Sequence, residues 1–136
     1  MKPAADAAGA SVERSYDQAW GALRAGDFHR AAGGFARVLL LDPDGPLVED
    51  ASFWRAVALA RGQRAAEARS AFRDFLDGFG ASHHAGEANA MLGWLLIDTR
   101  SYDEAAQRFT AAAGDANLTV RRSARAGLDA LARRQP

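Results

Sequence analysis

Cysteine is absent from the chain, which excludes disulfide frameworks, thiolate metal sites and cysteine nucleophiles. An apolar run long enough for a secretory signal or a membrane-spanning helix is also missing, so we expect no direct membrane insertion. A surplus of either charge is missing too, because 17 basic residues balance 17 acidic ones. The sequence therefore does not indicate a protein that binds nucleic acid through a strongly basic surface.

What the sequence does contain is the balance of a soluble globular domain, with 49% hydrophobic and 25% charged residues. The charges are unevenly placed: residues 1–50 hold five basic and eight acidic residues, whereas residues 117–136 hold five arginines against one acid, Asp129. We interpret the basic stretch as a solvated helix face. The alanine- and glycine-rich residues 1–11 are predicted to form a flexible leader.

Motifs that carry chemistry are sparse. His83 and His84 are adjacent in sequence, a spacing that does not converge on one metal ion. The acidic pair Asp103 and Glu104 suits the start of a helix. The chain has no glycine-rich phosphate loop, G-x-S-x-G or H-E-x-x-H motif. We therefore predict that the protein is not an enzyme and has no catalytic, cofactor-binding or metal-binding residues.

A pattern of small and apolar residues recurs every 37 residues along the chain. The shared register aligns three alanines and three phenylalanines, namely Ala31, Ala68, Ala105, Phe35, Phe72 and Phe109. Within each unit, the apolar residues fall at helical spacing in two blocks, which a short polar segment such as "RAGD" separates. Each unit is therefore predicted to be a helix hairpin with an apolar face that only a neighbouring element can cover.

A closing helix is predicted near the C-terminus, where one stripe is apolar and the other is rich in arginine. The stripe consists of Val120, Ala124, Leu128 and Leu131. The predicted domain covers residues 12–134, with repeats at 12–48, 49–85 and 86–116 and a capping helix at 117–134.

Adjacent glycines, Gly33 and Gly34, interrupt the second helical block of the first repeat. Each glycine costs about 1 kcal/mol relative to alanine in a helix interior. Two explanations stay open from the sequence: the glycines lie on an outer face where the cost is tolerated, or they permit a close contact with a neighbouring helix.

The repeat resembles the tetratricopeptide repeat (TPR), which has a G-D-aromatic turn followed by alanine and then a second aromatic. The first repeat carries this pattern as Gly26, Asp27, Phe28, Ala31 and Phe35, and it closes with "LLLDP". The resemblance covers about residues 12–132. It implies an all-α fold, a right-handed superhelical solenoid of three TPR-like hairpins plus a C-terminal capping helix.

The segment "FRDFLDGFGASHHAGEANAMLGWLL" is similar in style to bacterial envelope TPR proteins of the Tol–Pal-associated and outer-membrane-assembly type. Gly80 stands where that subgroup has proline. The similarity implies a periplasmic or envelope location if the chain is excised from a longer one, and a cytoplasmic location otherwise.

The resemblance also implies that the first helices of the hairpins line an apolar concave groove that binds a partner helix or extended peptide. The positions carried over to this chain are Tyr16, Trp20, Leu23, Arg24, Phe53, Val57, Arg61, Trp94 and Ile97. The expected function is a protein-protein interaction scaffold or adaptor. Three alternatives stay open: a self-association module that forms a homo-oligomer, a regulatory domain of a larger bacterial envelope or signalling protein, and aromatics that simply pack between hairpins.

Overall fold

The chain folds into α-helices joined by short turns, as seen in a computed structural model that describes residues 4–134, with side chains described for residues 9–134. The described residues form seven helices and no strand, so the predicted all-α class is confirmed. The helices are α1 (Ala4–Arg24), α2 (Phe28–Leu41), α3 (Val48–Arg61), α4 (Ala65–Gly78), α5 (Ala85–Asp98), α6 (Tyr102–Ala112) and α7 (Leu118–Arg134).

The helices recur with the spacing that the sequence predicts. The second helices of the three hairpins begin at Phe28, Ala65 and Tyr102, which are 37 residues apart. The first helices α3 and α5 begin at Val48 and Ala85, again 37 residues apart. The 37-residue repeat is therefore a structural repeat of two helices.

The turn within each hairpin is the same three-residue turn, and its central residue has a left-handed backbone. These residues are Gly26, Gln63 and Arg100, with φ of 78°, 65° and 59°. In each turn, the amide of the next residue donates to a carbonyl five residues earlier, as Asp27 does to Ala22 at 2.9 Å. This bond is the C-terminal cap of the first helix, and it holds the left-handed residue even where that residue is not glycine.

The turn between hairpins is longer and also repeats. In residues 42–47 the Gly45 amide donates to the Asp42 carbonyl at 3.1 Å, and in residues 79–84 the Ser82 amide donates to the Phe79 carbonyl at 3.0 Å. These bonds are again 37 residues apart. Because each turn closes with its own backbone bonds, the register is set locally.

The N-terminus differs from the prediction. A flexible leader was expected over residues 1–11, but residues 4–11 belong to α1, and residues 1–3 lie outside the described residues. Alanine has the highest helix propensity, and this segment is rich in it, so the helix extends past the repeat boundary.

The contacts divide the chain into two compact units, unit 1 (residues 1–71) and unit 2 (residues 72–136). In unit 1, α2 packs against both α1 and α3. Its fully buried residues Ala31, Phe35 and Val38 share one face. The helical spacing of these three residues is the pattern from which the core was predicted.

In unit 2, the side chain of Phe109 on α6 is fully buried between two glycines of neighbouring helices. A Cβ at Gly93 of α5 would lie 2.6 Å from the Phe109 ring, and a Cβ at Gly127 of α7 would also overlap that ring. Helix α7 turns its buried Val120, Ala124 and Leu131 inward, as the predicted capping stripe requires, and Leu128 is half-buried.

The two adjacent glycines of α2 turn out to have different roles. A Cβ at Gly34 would lie 2.7 Å from the Ala19 Cβ of α1, whereas nothing lies within 4 Å of a Cβ at Gly33. Gly34 therefore permits the close approach of α1 and α2, and Gly33 lies on the outer face. Each of the two explanations that the sequence left open is correct for one glycine.

We predict opposite effects of alanine at these two positions. Gly33→Ala should raise the free energy of unfolding by about 0.5–1 kcal/mol because it reduces chain entropy and meets open space. Gly34→Ala should lower it by about 1–3 kcal/mol because the added methyl overlaps Ala19. Urea unfolding of the two variants measures both. Equal stability of the two variants would contradict the close packing of α1 on α2.

An ion pair in unit 2 joins α4 to α6. The Nη2 and Nε atoms of Arg73 donate to Glu104, at 2.7 and 3.0 Å, and Arg108 donates to the same carboxylate at 3.3 Å. The hydrogen bonds from Arg73 are the main cause of a lowered Glu104 pKa, which the weaker interaction with Arg108 lowers further. A lowered carboxyl pKa contributes stability above the unfolded-state pKa, and this contribution disappears as pH falls through the folded-state value.

We therefore predict that Glu104→Gln is less stable than the wild type at pH 7 and that this difference closes as the pH falls below about 4. Thermal unfolding at a series of pH values measures the difference. Asp103→Asn, a change at the exposed neighbour of Glu104, is the control and should follow the wild-type pH dependence. A pH-independent difference for Glu104→Gln would contradict the ion pair.

Candidate functional site

The nine predicted partner-binding residues divide into a buried and an accessible group. The buried ones are Leu23, Phe53, Val57 and Ile97. Tyr16 and Trp20 are partly exposed, and Arg24, Arg61 and Trp94 are exposed. A first helix contacts neighbours on more than one side, so part of the face that the resemblance assigns to a groove belongs to the core. A partner that binds the protein in this conformation contacts only the accessible group. The binding role of all nine residues stays a prediction.

In unit 1, the accessible aromatic residues form one cluster, which we call the aromatic surface: Tyr16 and Trp20 of α1 and Trp54 of α3. The rings of Trp20 and Trp54 meet at 60° with their centroids 4.6 Å apart. Buried Phe35 supports this surface, with its ring 5.8 Å from Tyr16 and 6.0 Å from Trp20. The cluster thus has a fixed base and a partly exposed top.

Trp54 was missed by the sequence analysis, although it stands directly after Phe53. Its equivalents in the other repeats are Asp17 and Met91, neither of which is aromatic. Because a periodic pattern identifies positions that recur, a tryptophan present in one repeat alone gives no signal. The adjacent Phe53 was assigned to the partner-binding surface instead. Its side chain is fully buried, whereas that of Trp54 is partly exposed.

Charged residues lie beside the aromatic surface along α1. The Arg24 guanidinium lies 5.9 Å from the centroid of the Trp20 ring, within cation-π distance. Asp17, Trp20 and Arg24 together line a shallow hollow of about 360 Å³. A positive and a negative group therefore lie on either side of one partly exposed tryptophan.

In unit 2, Trp94 has a structural contact as well as an exposed face. Trp94 is 38% exposed, yet its indole N–H donates to the Ser123 hydroxyl of α7 at 3.0 Å. Its ring also meets the ring of Phe109 with centroids 5.3 Å apart. Trp94 thus fastens α5 to α7, and a shallow groove lined by Ala90, Met91 and Val120 lies beside it.

The recurring two-helix hairpins, with a polar capping helix at the end, define a helical-repeat protein. A sequence profile of the family described as Tetratricopeptide repeat matches residues 16–83, which is half of the chain. The chain belongs to the tetratricopeptide repeat family. Tetratricopeptide repeats generally mediate protein-protein interactions. The comparison with curated proteins found no match, so the similarity in style to envelope proteins stays a prediction.

Membrane insertion was not expected from the sequence. Among the described residues, every helix is too short or too polar to cross a bilayer.

The burial of Phe53 gives a test of which side chains belong to the core. We predict that Phe53→Ala lowers the free energy of unfolding by about 3–5 kcal/mol, because it removes a fully buried ring. Leu40→Ala, at a leucine that is 83% exposed, is the matched control and should change stability by less than about 0.5 kcal/mol. Chemical denaturation measures both. If Phe53→Ala had wild-type stability, Phe53 would not belong to the core and would count among the accessible residues.

Proposed function

We propose that this TPR domain is a non-enzymatic scaffold that binds a partner helix or extended peptide on the aromatic surface of unit 1. The observation that carries the proposal is the pair of partly exposed tryptophans, Trp20 and Trp54, whose ring centroids lie 4.6 Å apart. Aromatic side chains of this size supply much of the binding energy at protein interfaces. The general role of the family in protein interaction supports the same conclusion.

The surroundings of these tryptophans favour binding because they limit ring motion. Trp20 contacts the buried ring of Phe35, and Trp54 contacts the buried ring of Phe53 at 4.9 Å. A ring that is already held in one orientation loses little conformational entropy when a partner covers it. The buried residues of the predicted groove therefore contribute indirectly, by supporting the rings that a partner reaches.

The flanking charges give the surface a direction. Acidic Glu13 and Asp17 precede Trp20 on α1, and basic Arg24 is the last residue of that helix. Complementary charges on a partner segment would set its orientation more than its affinity. We propose that the bound segment carries a basic end near Asp17 and an acidic end near Arg24.

The resemblance to bacterial envelope TPR proteins suggests two finer assignments. A location in the bacterial envelope rests only on the resemblance of the segment around the turn at residues 79–84. A regulatory role within a larger envelope or signalling protein has the same support. We retain both as proposals beside the scaffold function.

Peptides selected from a random display library against the wild-type domain would test the binding surface. We predict that Trp20→Ala and Trp54→Ala each weaken the selected peptides by about 30-fold, or about 2 kcal/mol, in fluorescence anisotropy. Leu40→Ala removes an apolar side chain that is exposed elsewhere on unit 1, and it should leave the affinity unchanged. Circular dichroism and thermal unfolding verify that each variant is folded.

A second pair of variants keeps the test valid if a tryptophan variant unfolds. Asp17→Lys and Arg24→Glu change exposed residues beside the aromatic surface and should reduce or reverse the orientation preference of the peptides. Selected peptides that bind all of these variants as tightly as the wild type would place the binding site elsewhere and contradict the proposal.

A further inference from the structure

A second recess in unit 1, which we call the acidic groove, lies between α1 and the turn at residues 42–47. It has a volume of about 530 Å³. Its apolar lining consists of Gly9, Val12, Tyr16, Pro46 and Leu47, and its acidic lining consists of Glu13, Asp17 and Asp42. Among residues 9–134, whose side chains the structure describes, no lysine or arginine lines it. The groove therefore combines an apolar floor with a rim of one charge sign.

The three rim carboxylates have no oppositely charged partner among the described side chains. Within residues 9–134, neither Glu13, Asp17 nor Asp42 forms an ion pair. Glu13 and Asp17 are exposed and are four residues apart on α1, so they lie on the same face of the helix. A ligand that complements this groove needs one apolar side chain and at least two cationic groups at helical spacing.

Helix α7 presents this combination on its outer side. Leu118 is 50% exposed, and Arg122 and Arg125 follow at four and seven residues, which places all three on one helix face. Arg121 differs, because its guanidinium donates to the carbonyls of Asp115 and Ala116 at 2.9 and 2.8 Å. Among the described residues, Arg122 and Arg125 form no hydrogen bond or ion pair and so remain available to a partner.

The spacing of the charges on the two surfaces is compatible. With a rise of about 1.5 Å per residue, Glu13 and Asp17 lie about 6 Å apart along α1. By the same measure, Arg122 and Arg125 lie about 4.5 Å apart along α7. Flexible arginine side chains cover the difference. Opposite charges on matching helix faces fix the register of an interface.

We propose that the acidic groove of one copy binds α7 of a second copy. Leu118 enters the apolar floor beside Tyr16 and Leu47, while Arg122 and Arg125 meet Glu13 and Asp17. The two surfaces are different parts of the chain, so the contact is head to tail rather than two-fold symmetric. Because the groove is small, the association is weak and depends on concentration. This inference does not rest on the peptide-binding function proposed above.

Sedimentation equilibrium of the full chain tests the association. We expect the weight-average mass to rise by about one half between about 10 µM and about 1 mM protein, and to rise less when the salt concentration increases from about 0.05 M to about 0.5 M. A weight-average mass that stays at the monomer value over this range would overturn the proposal. Binding of α7 to the groove of its own chain would give that same result.

Charge reversal identifies the two surfaces. The Glu13→Lys/Asp17→Lys variant and the Arg122→Glu/Arg125→Glu variant should each be monomeric alone, and an equimolar mixture of the two should associate again because each groove then meets an opposite charge. Asp74→Lys/Asp77→Lys is the matched control for the first variant, since it makes the same change in net charge at exposed positions of α4. It should associate like the wild type. A mixture that stays monomeric would contradict the assigned contact.

The absence of cysteine allows a third measurement with single-cysteine variants. With oxidised glutathione as the oxidant, a mixture of Leu47→Cys and Leu118→Cys chains should form a disulfide between copies faster than a mixture of Leu40→Cys and Leu118→Cys, because Leu40 is exposed but lies outside the groove. Equal rates for the two mixtures would mean that the contact is random collision, and the proposal would fail.

Discussion

The buried phenylalanine of the second helix in each hairpin is the contact on which the rest of the structure depends. Phe35, Phe72 and Phe109 recur at 37-residue intervals and are fully buried. A ring of this size needs a gap opposite it, and in unit 2 Gly93 provides that gap, because a Cβ there would lie 2.6 Å from the ring of Phe109. Ring and gap together fix how closely the helices approach, so changes in either affect the whole unit.

The same packing determines what remains for a partner. A first helix has too few faces to be both fully packed and fully open, and in α3 the core takes Phe53 and Val57. The aromatic surface is therefore a strip at the edge of the core, formed by side chains that are partly exposed. Trp20 shows both roles in one residue, because it contacts buried Phe35 on one side and Trp54 on the other.

Much of the fold was predictable from sequence because it depends on spacing. Ala31 and Phe35 recur at a fixed interval, and a fixed interval of apolar residues specifies which helix face is buried. The site was less predictable, because spacing does not reveal how many neighbours cover a face. Phe53 was assigned to the surface for that reason, and Trp54, which recurs in no other repeat, gave no periodic signal. The helical residues 4–11 were missed because an alanine-rich segment reads equally well as leader or helix.

The uneven charge of the chain gains a physical meaning once the helices are in place. Glu13 and Asp17 of α1 and Asp42 of the turn after α2 line an apolar recess, whereas the arginines of α7 cover the outer side of a helix whose inner side holds Val120 and Ala124. A polar outer face on the terminal helix ends a helical repeat and keeps it soluble. That requirement explains why α7 is polar, but it does not require one sign of charge. The arginine excess on α7 is therefore a separate property, and attraction to a carboxylate-rimmed apolar surface is the electrostatic consequence that distinguishes it from a mixed-charge cap.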